Sequence, residues 1–448
     1  MTVDYIKEPE KMLPVRYEAD VFVAGGSCTG LFAAVRAARL GARVVLVERQ
    51  NMLGGTATSG LVNVWHSLKD TDYKEQVIAG LTAEMTERLV KCGAAYVKDD
   101  PSVGICFDPN RLAFELDRLA AENRITVLFH TLCTGVLTDE ENRICAAIIE
   151  NKDGRSAVKA GFFIDATGDG DLAKYLKLPF YRNDYIQPPT PCFFLHGRTG
   201  NVDIGRLIKE HGSEFGLPDD FGWGGGVPGV PDTELRADFH IFGQQGDAAQ
   251  ELSYIEAEGR RKAYALVELL RKYTDVPASV CALSQSAGIR ESVHFETEKQ
   301  ASGRELLHGE RYADAVLNGT YRVDVHDQDG AVTFKYLNGD AVRIFGAAHE
   351  QTHWNWRDRE GLTGEPAKFY QAPFEILVQR KYANFIAVGR MLHADREAFG
   401  ALRVMVNLNQ LGEAAGTAAY LCLDGNTPVS SLDGKRVRAC LKKGGSAL

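Results

Sequence analysis

Apolar residues follow two different spacings near the start of the chain. Residues 21–24 are all apolar, and 44–48 hold four apolar residues before a glutamate, as expected for parallel strands that are covered on both faces. Between these runs, apolar residues recur at helical spacing from 29 to 40, and Gly41 stands where a helix is expected to end. The pattern therefore predicts a strand, a helix and a second strand in direct succession.

The same two spacings predict further elements along the chain. Helices are predicted over 76–92, 110–123, 248–273 and 405–419, and strands over 125–138, 144–150, 156–164 and 385–388. The strands 144–150 and 156–164 flank Asp153-Gly154, which is typical of a hairpin turn. Between 178 and 368, Pro, Gly, Trp and Tyr alternate irregularly, and 221–232 is predicted to be a loop.

This change of pattern predicts an α/β fold in which one domain interrupts another. A chain of 448 residues is too long for a single compact core. We expect a Rossmann-like nucleotide-binding domain with a parallel sheet, formed by 1–177 and 371–448. A mixed α+β substrate or cap domain is expected over 178–370.

The first predicted turn carries a nucleotide-binding pattern. Gly25 and Gly30 occupy the outer positions of a GxGxxG motif, the first for a tight turn and the last for close packing of helix on strand. Ser27 stands where the middle glycine is expected, and amides at the start of the helix can still bind phosphate. Glu48 ends the second strand, where a carboxylate can accept hydrogen bonds from ribose hydroxyls. The spacing of strand, glycines, helix and acid predicts a dinucleotide site.

Two other glycine-rich segments are expected to meet the same ligand. The loop 51–63 follows Glu48 almost directly and offers several backbone amides to an extended ligand. The segment FFIDATGDGDLA, 162–173, brings an apolar strand to Asp165 and Gly168 before a new helix begins. It predicts a second turn that faces the nucleotide.

Composition and charge narrow the class of ligand. A formal net charge of −9 without a long basic run argues against nucleic acid as a partner, so a small-molecule substrate is expected.

The nine cysteines are scattered and never form CxxC, which predicts buried thiols and no disulfide framework, iron–sulfur cluster or cysteine–zinc site. No stretch has the apolar length of a membrane span, and the polar segment 1–20 lacks a secretory signal. A cytoplasmic protein is predicted, and self-association into a homo-oligomer is left open.

Residues 349–353 spell HEQTH, the HExxH order in which a helix offers two zinc ligands and a general base. The segment 354–361 is polar and turn-prone where such a helix should continue, and no third histidine follows at the metzincin spacing. We therefore predict no metal site. Trp354 and Trp356 would point the same way on a strand, either as a stacking wall for a ring or as ordinary core.

The three glycine-rich blocks and the C-terminal run, in this order, resemble the large family of bacterial FAD-dependent oxidoreductases with the two-dinucleotide-binding-fold flavin domain, akin to glutathione-reductase-like flavoproteins. The blocks are VFVAGGSCTGLFAAVRAARLGARVVLVE, LGGTATSGLV, IDATGDGDLA and the run from NFIAVGR through ALRVMVNLNQLGEAAGTAA. In the middle of the chain, GIRESVHFETE and YRVDVHD are also similar to that family. The resemblance covers nearly the whole chain and implies FAD as the cofactor of a Rossmann-like FAD-binding domain.

The resemblance also implies which residues hold FAD. The implied contacts are Gly25, Ser27, Thr29 and Gly30 to the diphosphate, with Cys28 in the same turn; Glu48 to the adenosine ribose with Arg49 beside it; Gly54, Gly55, Thr56 and Ala57 to the ribityl and isoalloxazine side; Cys133 to the adenine; Thr167, Gly168 and Asp169 to the diphosphate; Gly389 to the ribityl chain; and Arg403, Val404 and Asn407 to the flavin pyrimidine. The sequence departs from the family pattern at Ser27, and Arg390 replaces an acid often seen at the strand end. The N-terminus of the last helix is expected to stabilise negative charge on the reduced flavin.

A flavin oxidoreductase usually needs a group that moves the substrate proton or polarises its carbonyl. His393 and Arg396 rank first because the resemblance places their loop near the flavin. Arg290 is the third candidate, either as an anchor for a carboxylate or as a structural partner of Glu291 or Glu296. The wider set of candidates also includes His66, His349 and His353.

The expected activity is hydride transfer between a small organic substrate and flavin N5 in an FAD-dependent oxidoreductase. The alternative is a redox-neutral isomerase, lyase or hydratase that retains FAD as a structural or electrostatic element. An electron-transfer subunit is disfavoured because the iron–sulfur cysteines are missing. No second complete GxGxxG unit occurs, so no dedicated nicotinamide domain is predicted.

Overall fold

A computed structural model describes residues 5–98, 104–197 and 199–448. The helices are α1 Cys28–Leu40, α2 Leu81–Lys91, α3 Pro109–Glu122, α4 Asp171–Tyr175, α5 Ile204–His211, α6 Ala249–Tyr273, α7 Gly303–Leu307, α8 Trp356–Arg359, α9 Arg396–Leu402, α10 Met405–Asp424 and α11 Gly434–Lys443. The strands are β1 Val15–Ala24, β2 Val44–Val47, β3 Val64–Trp65, β4 Ala95–Val97, β5 Ile105–Phe107, β6 Thr126–Leu128, β7 Leu132–Thr138, β8 Ile144–Asn151, β9 Gly154–Asp165, β10 Phe180–Tyr181, β11 Phe193–His196, β12 Trp223–Gly226, β13 Thr233–Ala237, β14 Ser279–Leu283, β15 His294–Phe295, β16 Ala315–Gly319, β17 Val323–His326, β18 Val332–Lys335, β19 Asp340–Phe345, β20 Glu350–Asn355, β21 Tyr370–Pro373 and β22 Phe385–Ala387. Short 3₁₀ turns cover Gly55–Ala57, Gly212–Phe215, Phe374–Leu377 and Val429–Ser431.

The central sheet has seven strands in the order β6-β2-β1-β9-β8-β7, and β22 also pairs with β9. The strands β6, β2, β1, β9 and β22 are parallel. Strand β8 pairs antiparallel with the first half of β9, and β7 pairs antiparallel with β8. The apolar run of β1 is fully buried, which explains its continuous hydrophobic character. The predicted α/β fold with a parallel-containing sheet is confirmed, and β22, from the C-terminal part of the chain, pairs with β9 in this sheet.

Helix α10 packs directly on α1, and glycine makes this close packing possible. A Cβ atom at Gly412 would lie 2.1 Å from the carbonyl oxygen of Thr29, and one at Gly416 would lie 2.0 Å from that of Ala33. Both distances are far below van der Waals contact, so only glycine fits at either position. The small residues of the predicted C-terminal helix therefore serve helix packing against α1.

The strand material predicted over 125–138 forms two strands. They are β6 and β7, separated at 129–131, where His130 adopts a positive φ of 50°. The amide of Thr131 donates to the carbonyl of Glu48 (3.0 Å), and the amide of His130 donates to that of Gln50 (3.1 Å). The strand is interrupted here because the amides of 130 and 131 bond to the segment that follows β2 and not to a neighbouring strand. The helix predicted over 76–92 likewise begins only at Leu81, since Gly80 has a φ of 71°.

The middle of the chain contains two antiparallel sheets, β12-β13-β11-β14 and β17-β18-β19-β20. The predicted loop over 221–232 is wrong in part, because Trp223–Gly226 forms strand β12 through backbone pairing with β13. Three of the four residues of this edge strand are glycines, so its sequence has no alternation of apolar and polar side chains that would predict a strand. The single long helix of this region is confirmed as α6.

The boundaries at 177 and 370 stay a prediction, because the main hydrophobic cluster extends across both. It joins α1 and α10 to Tyr321 and Tyr370, and strand β16 pairs with β21. Among the described residues, no helix combines the length and the apolar character needed to cross a membrane. All nine cysteines are free, but Cys92, Cys145 and Cys281 are exposed, so the expectation of buried thiols fails at these three positions.

Candidate functional site

The turn between β1 and α1 is held by contacts that glycine and serine allow. Gly25 has a φ of 98°, and a Cβ atom there would lie 2.4 Å from the carbonyl oxygen of Ala166. Ser27 is the N-cap residue of α1, and its side chain accepts a hydrogen bond from the amide of Gly30 (3.4 Å). The departure from the glycine pattern at Ser27 therefore has a physical role, since a serine side chain satisfies an amide at the helix start.

Glu48 connects this turn to the loop that follows β2. Its Oε2 accepts from the amide of Gly26 (2.6 Å) and its Oε1 accepts from the amide of Gln50 (2.8 Å). The side chain is buried but still lines a cavity that the turn borders. A carboxylate fixed at this edge can accept the hydroxyls of a ribose, as the sequence predicts.

The second glycine-rich turn is organised by the buried Asp165 at the end of β9. Its Oδ1 accepts from the amide of Thr167 (3.1 Å) and from the Thr167 hydroxyl (2.7 Å), and its Oδ2 accepts from the amide of Ala173 (3.0 Å). Burial raises the pKa of Asp165 above its ordinary value. These bonds shape the turn so that Thr167 and Gly168 face the cavity.

Arg390 lies beside this turn and carries a charge toward the cavity. Its Nη2 donates to Asp169 Oδ1 (2.9 Å), which also accepts from the Ser292 hydroxyl (2.9 Å). Its Nη1 is buried and has no hydrogen-bond partner among the described residues. Arg390 is thus anchored by Asp169, and its Nη1 donor is available to a ligand.

One cavity of about 420 Å³ connects both turns with the middle of the chain. The structure brings together these predicted residues in its lining: Gly25, Ser27, Cys28, Thr29, Glu48, Arg49, Gly54, Gly55, Thr56, Thr167, Gly168, Arg290, Gly389, Arg403 and Val404. A volume of this size is typical of a small-molecule or cofactor site. Burial raises the pKa of the Cys28 thiol to about 12, so Cys28 is protonated and lines the cavity as a small neutral group.

Other predicted cofactor contacts are outside this lining. They are Gly30, Ala57, Cys133, Asp169 and Asn407. Gly30 packs on the carbonyl of Gly25, and the Nδ2 of Asn407 donates to the Tyr370 hydroxyl (3.0 Å) and to the carbonyl of Ala401 (2.9 Å). These residues support the cavity wall.

The two first-ranked catalytic candidates are not in the cavity lining. His393 Nδ1 accepts from the amide of Thr297 (3.1 Å). Burial lowers the pKa of His393. Arg396 Nη2 donates to the carbonyl of His326 (3.0 Å) and lies 3.4 Å from Asp327 Oδ1. Arg396 thus supports the strand that carries His326.

Arg290 does line the cavity, and neither predicted acidic partner holds it. Its Nη1 donates to the carbonyl of Pro188 (2.7 Å) and to the Thr190 hydroxyl. Glu291 instead contacts His294 Nε2 (3.0 Å) and accepts from the amide of Gln187 (2.9 Å). The structural pairing with Glu291 or Glu296 is therefore wrong, and the guanidinium of Arg290 faces the cavity.

The HEQTH segment does not have the geometry of a zinc site. His349 has a φ of 55° and precedes strand β20, so the two histidines do not share a helix face. The Nε2 of His349 lies 2.9 Å from the carbonyl of Gly222, and that of His353 lies 3.0 Å from Gln351 Oε1. Among the described residues, no group of His, Cys, Asp and Glu is arranged to hold a metal ion.

Trp354 and Trp356 do not share a strand face either. Strand β20 ends at Asn355, and Trp356 begins helix α8 with its ring buried in the main core. The Asn355 side chain caps this helix by accepting from the amide of Asp358 (3.1 Å). The expectation that both rings point the same way is wrong, and Trp356 is core.

Strand β17 and the residues before it supply polar groups that sequence reasoning missed. Asp324 and His326 are two positions apart on β17 and both line the cavity, as side chains on one face of a strand do. The Tyr321 hydroxyl donates to Asp324 Oδ2 (2.7 Å), and His326 Nε2 lies 3.5 Å from Asp324 Oδ1. The alternation in YRVDVHD was the available signal for this cluster.

Burial and neighbouring charges fix the protonation of these groups. Burial acts to raise the pKa of Asp324, but the guanidinium groups of Arg403 and Arg322 lower it below its ordinary value. Burial, together with the charge of Arg290, lowers the pKa of His326 well below its ordinary value. Burial also raises the pKa of Tyr321. At neutral pH the cluster therefore holds an ionised aspartate, a neutral histidine and a protonated tyrosine.

Several buried polar atoms in the cavity wall have no hydrogen-bond partner among the described residues. They are Gln50 Oε1, Arg322 Nε, Asp324 Oδ1, Arg390 Nη1, Arg403 Nε and Asn409 Oδ1. Leaving such atoms unsatisfied costs about 1–3 kcal/mol each, so the wall is made for a ligand with polar groups along its length. A dinucleotide has this chemistry, and the residues present fit FAD.

The fold and the cavity together define a Rossmann-like α/β protein with a dinucleotide-binding turn. The chain belongs to the FAD-dependent oxidoreductase family, because the family model described as "FAD dependent oxidoreductase" matches residues 20–441. The cofactor is therefore FAD, and the protein is an enzyme of the oxidoreductase class.

Solved structures that resemble the chain are remote in sequence. A geranylgeranyl bacteriochlorophyll reductase-like protein from Thermoplasma acidophilum is 13% identical with a TM-score of 0.47, over 95% of this chain and 84% of that one. The p-nitrophenol 4-monooxygenase PnpA from Pseudomonas putida DLL-E4 is 12% identical with a TM-score of 0.44, over 95% and 86% of the two chains. A comparison with curated proteins finds no significant match.

The carboxylate of Glu48 gives a direct test of the FAD site. We expect Glu48→Gln to weaken FAD binding about tenfold, because a neutral amide is a weaker acceptor for ribose hydroxyls than a carboxylate. Titration of apoprotein with FAD, followed by flavin fluorescence, measures the change. Glu18→Gln, an exposed change on β1, is the matched control and should bind FAD as the unchanged protein does. Equal affinity of Glu48→Gln and the control would contradict the role of Glu48.

Proposed function

We propose that this protein transfers a hydride between a carbon atom of a small organic substrate and the flavin N5. The observation that carries the proposal is the continuity of one cavity from the dinucleotide turn to the polar cluster on β17. FAD, when bound, supplies a two-electron acceptor whose reactive edge the protein must orient toward the substrate. The residues of this chain then bind the substrate, exclude water and move a proton.

The residues that would hold FAD belong to three segments of the cavity wall. The turn from Gly25 to Thr29 and the start of α1 offer amides to the diphosphate, and Glu48 offers acceptors to the ribose. Thr167 and Gly168 face the same region from the second turn. The contacts of these residues with each other support a site that is largely formed before the cofactor binds.

The first turn of α10 also faces the cavity. Val404 is its N-cap residue, and Met405, Leu408 and Asn409 line the cavity wall. The N-terminus of a 20-residue helix carries a partial positive charge. This positive end would favour electron uptake by stabilising negative charge on the flavin.

Asp324 and His326 are the proposed proton-handling pair. Asp324 is ionised at neutral pH, and its Oδ1 has no hydrogen-bond partner among the described residues while it faces the cavity. His326 is neutral and lies within 3.5 Å of that oxygen. A substrate hydroxyl placed here would pass its proton to this pair while hydride leaves the carbon that bears the hydroxyl, which forms a C=O bond. An acidic C–H would pass its proton to the pair while hydride leaves the neighbouring carbon, which forms a C=C bond. Tyr321 holds the other carboxylate oxygen in place.

The test is reduction of the flavin under anaerobic conditions. Holoprotein is mixed with panels of small organic acids, alcohols and amines, and the visible flavin band is followed; reduced holoprotein is mixed with the corresponding oxidised compounds. We expect one class to bleach or restore the band. Asp324→Asn should slow that step by about 100-fold or more, as loss of a general base does. The surface change Asp329→Asn should leave the rate unchanged.

Two outcomes contradict the proposal. Product formation with an unchanged flavin band would select the redox-neutral isomerase, lyase or hydratase. An unchanged reduction rate in Asp324→Asn, with His326→Gln equally active, would remove the pair from the reaction. Flavin content is measured for each variant, so loss of cofactor is separated from loss of chemistry.

A further inference from the structure

The cavity wall near β17 carries more guanidinium groups than carboxylates. Arg290, Arg322 and Arg403 all line it, and Asp324 is the acid that they share. Arg403 Nη2 lies 3.1 Å from Asp324 Oδ2. The ion pairs of Asp324 are with Arg403 and His326. Among the described residues, Arg290 and Arg322 make no ion pair of their own, although the charge of Asp324 acts on both.

The other charges in the wall are held elsewhere and do not neutralise this cluster. Glu48 is bonded to the dinucleotide turn, and Arg390 is bonded to Asp169. Glu256 accepts from the amide of Ala287 (2.7 Å) and lies 3.8 Å from Arg260 Nη1. His326 is neutral. Three guanidinium groups and one carboxylate therefore leave an excess of positive charge in the part of the cavity near β17.

One segment, 187–190, holds two of the arginines in place through backbone and side-chain oxygens. Arg290 donates to the carbonyl of Pro188 and to Thr190, and Arg403 Nη2 donates to Gln187 Oε1 (3.4 Å). Buried nitrogens are nonetheless left over, because the Nε atoms of Arg322 and Arg403 have no hydrogen-bond partner among the described residues. Fixed guanidinium groups with unused donors are suited to bidentate binding of a planar anion.

Aromatic rings enclose the same part of the cavity. The Arg322 guanidinium lies 4.1 Å from the ring centre of Phe334, and the rings of Phe334 and Phe221 are 6.2 Å apart in an edge-on arrangement. Trp223 also lines the wall. Such walls bury a flat carbon skeleton and, by excluding water, strengthen the interaction between a cation and an anionic group.

We infer that the substrate is a small organic carboxylate, whose carboxylate group is bound by Arg290 and Arg322 while its carbon skeleton lies against the aromatic wall. The inference rests on the proposed function, because it names the substrate class of that same cavity. Arg403 and Asp324 stay paired with each other, so Asp324 keeps its negative charge for the proton transfer. An amide or alcohol of the same shape leaves both guanidinium groups unpaired and binds weakly.

Binding without turnover tests the inference. FAD-loaded protein is titrated by calorimetry with malonate and benzoate, with malonamide and benzamide as neutral analogues and inorganic phosphate as a non-carboxylate anion. We expect at least one carboxylate to bind about 10-fold or more tightly than its amide and than phosphate. Arg290→Gln and Arg322→Gln should each weaken that binding about 10- to 100-fold, the effect of losing a charged hydrogen bond. Arg290→Lys should restore part of it.

The controls keep failure of this inference separate from failure of the proposed function. Arg206→Gln, an exposed arginine on α5, should bind the carboxylate normally, and flavin content confirms that each variant is folded. Equal binding of carboxylates and amides, or tighter binding of phosphate, overturns the inference. Flavin reduction by a neutral compound would then leave the proposed function standing. Tight carboxylate binding without flavin reduction by any carboxylate would instead support the ligand class and reject the hydride transfer.

Discussion

Replacing Gly416 by valine should leave little folded holoprotein. A Cβ atom at this position would lie 2.0 Å from the carbonyl oxygen and 2.9 Å from the Cα atom of Ala33 on α1. These are backbone atoms, which cannot rotate away as a flexible side chain can. The two helices would have to separate, and overpacking in cores typically costs about 1–3 kcal/mol even where side chains can adjust. We expect a loss above about 4 kcal/mol, a large part of a typical stability of about 5–15 kcal/mol.

Soluble yield, bound flavin and the urea midpoint of the purified holoprotein measure this effect. Gly364→Val is the matched control, because a Cβ atom there meets nothing within 4 Å and its φ is not positive. The control should unfold at the midpoint of the unchanged protein, as surface changes do. A Gly416→Val protein that retains FAD and the normal midpoint would show that α1 and α10 are not in backbone contact.

The βαβ turn was predicted because each of its glycines has one geometric purpose. The packing of α10 on α1 was not predicted, although small residues such as Gly412 and Gly416 leave room for a neighbouring backbone. Strand β12 was missed because it is held by backbone pairing of glycines. The helix at Trp356 was missed although Asn355 and Asp358 carry a capping signal.

The site residues were predicted only where they directly follow a predicted strand, because the strand then fixes their position. The cofactor turns follow strands directly, so their residues had to lie at the strand ends. His393 follows β22 by a few residues, but Ala394 bridges to Ala301 and draws its loop away from the cavity. Asp324 and His326 lie on β17, the edge strand of a separate antiparallel sheet that forms part of the cavity wall. Sequence spacing alone does not encode that approach.

Removing the carboxylate of Glu413 should lower the free energy of unfolding by about 3–5 kcal/mol, the cost of leaving a buried charge without its partner. Glu413 lies on α10 with 1% of its side chain exposed, and Arg36 on α1 is 6% exposed. Arg36 Nε donates to Glu413 Oε2 (2.6 Å), and Glu413 Oε1 accepts from the amide of Leu81 at the start of α2 (2.9 Å). The variant Glu413→Ala therefore leaves both the Arg36 guanidinium and the amide of Leu81 without these hydrogen bonds.

A double-mutant cycle separates the pair from the packing around it. Urea unfolding at fixed FAD concentration is measured for Glu413→Ala, Arg36→Met and the double variant. The double variant should be more stable than the sum of the two single losses implies, because it leaves no buried charge unpaired. The exposed pair Arg206 and Glu210, 71% and 45% exposed, should show a coupling of no more than about 1 kcal/mol. A loss of unfolding free energy of no more than about 1 kcal/mol in Glu413→Ala would show that the ion pair does not hold α1, α10 and α2 together. The contact between α1 and α10 would then depend on the packing of Gly412 and Gly416 against α1.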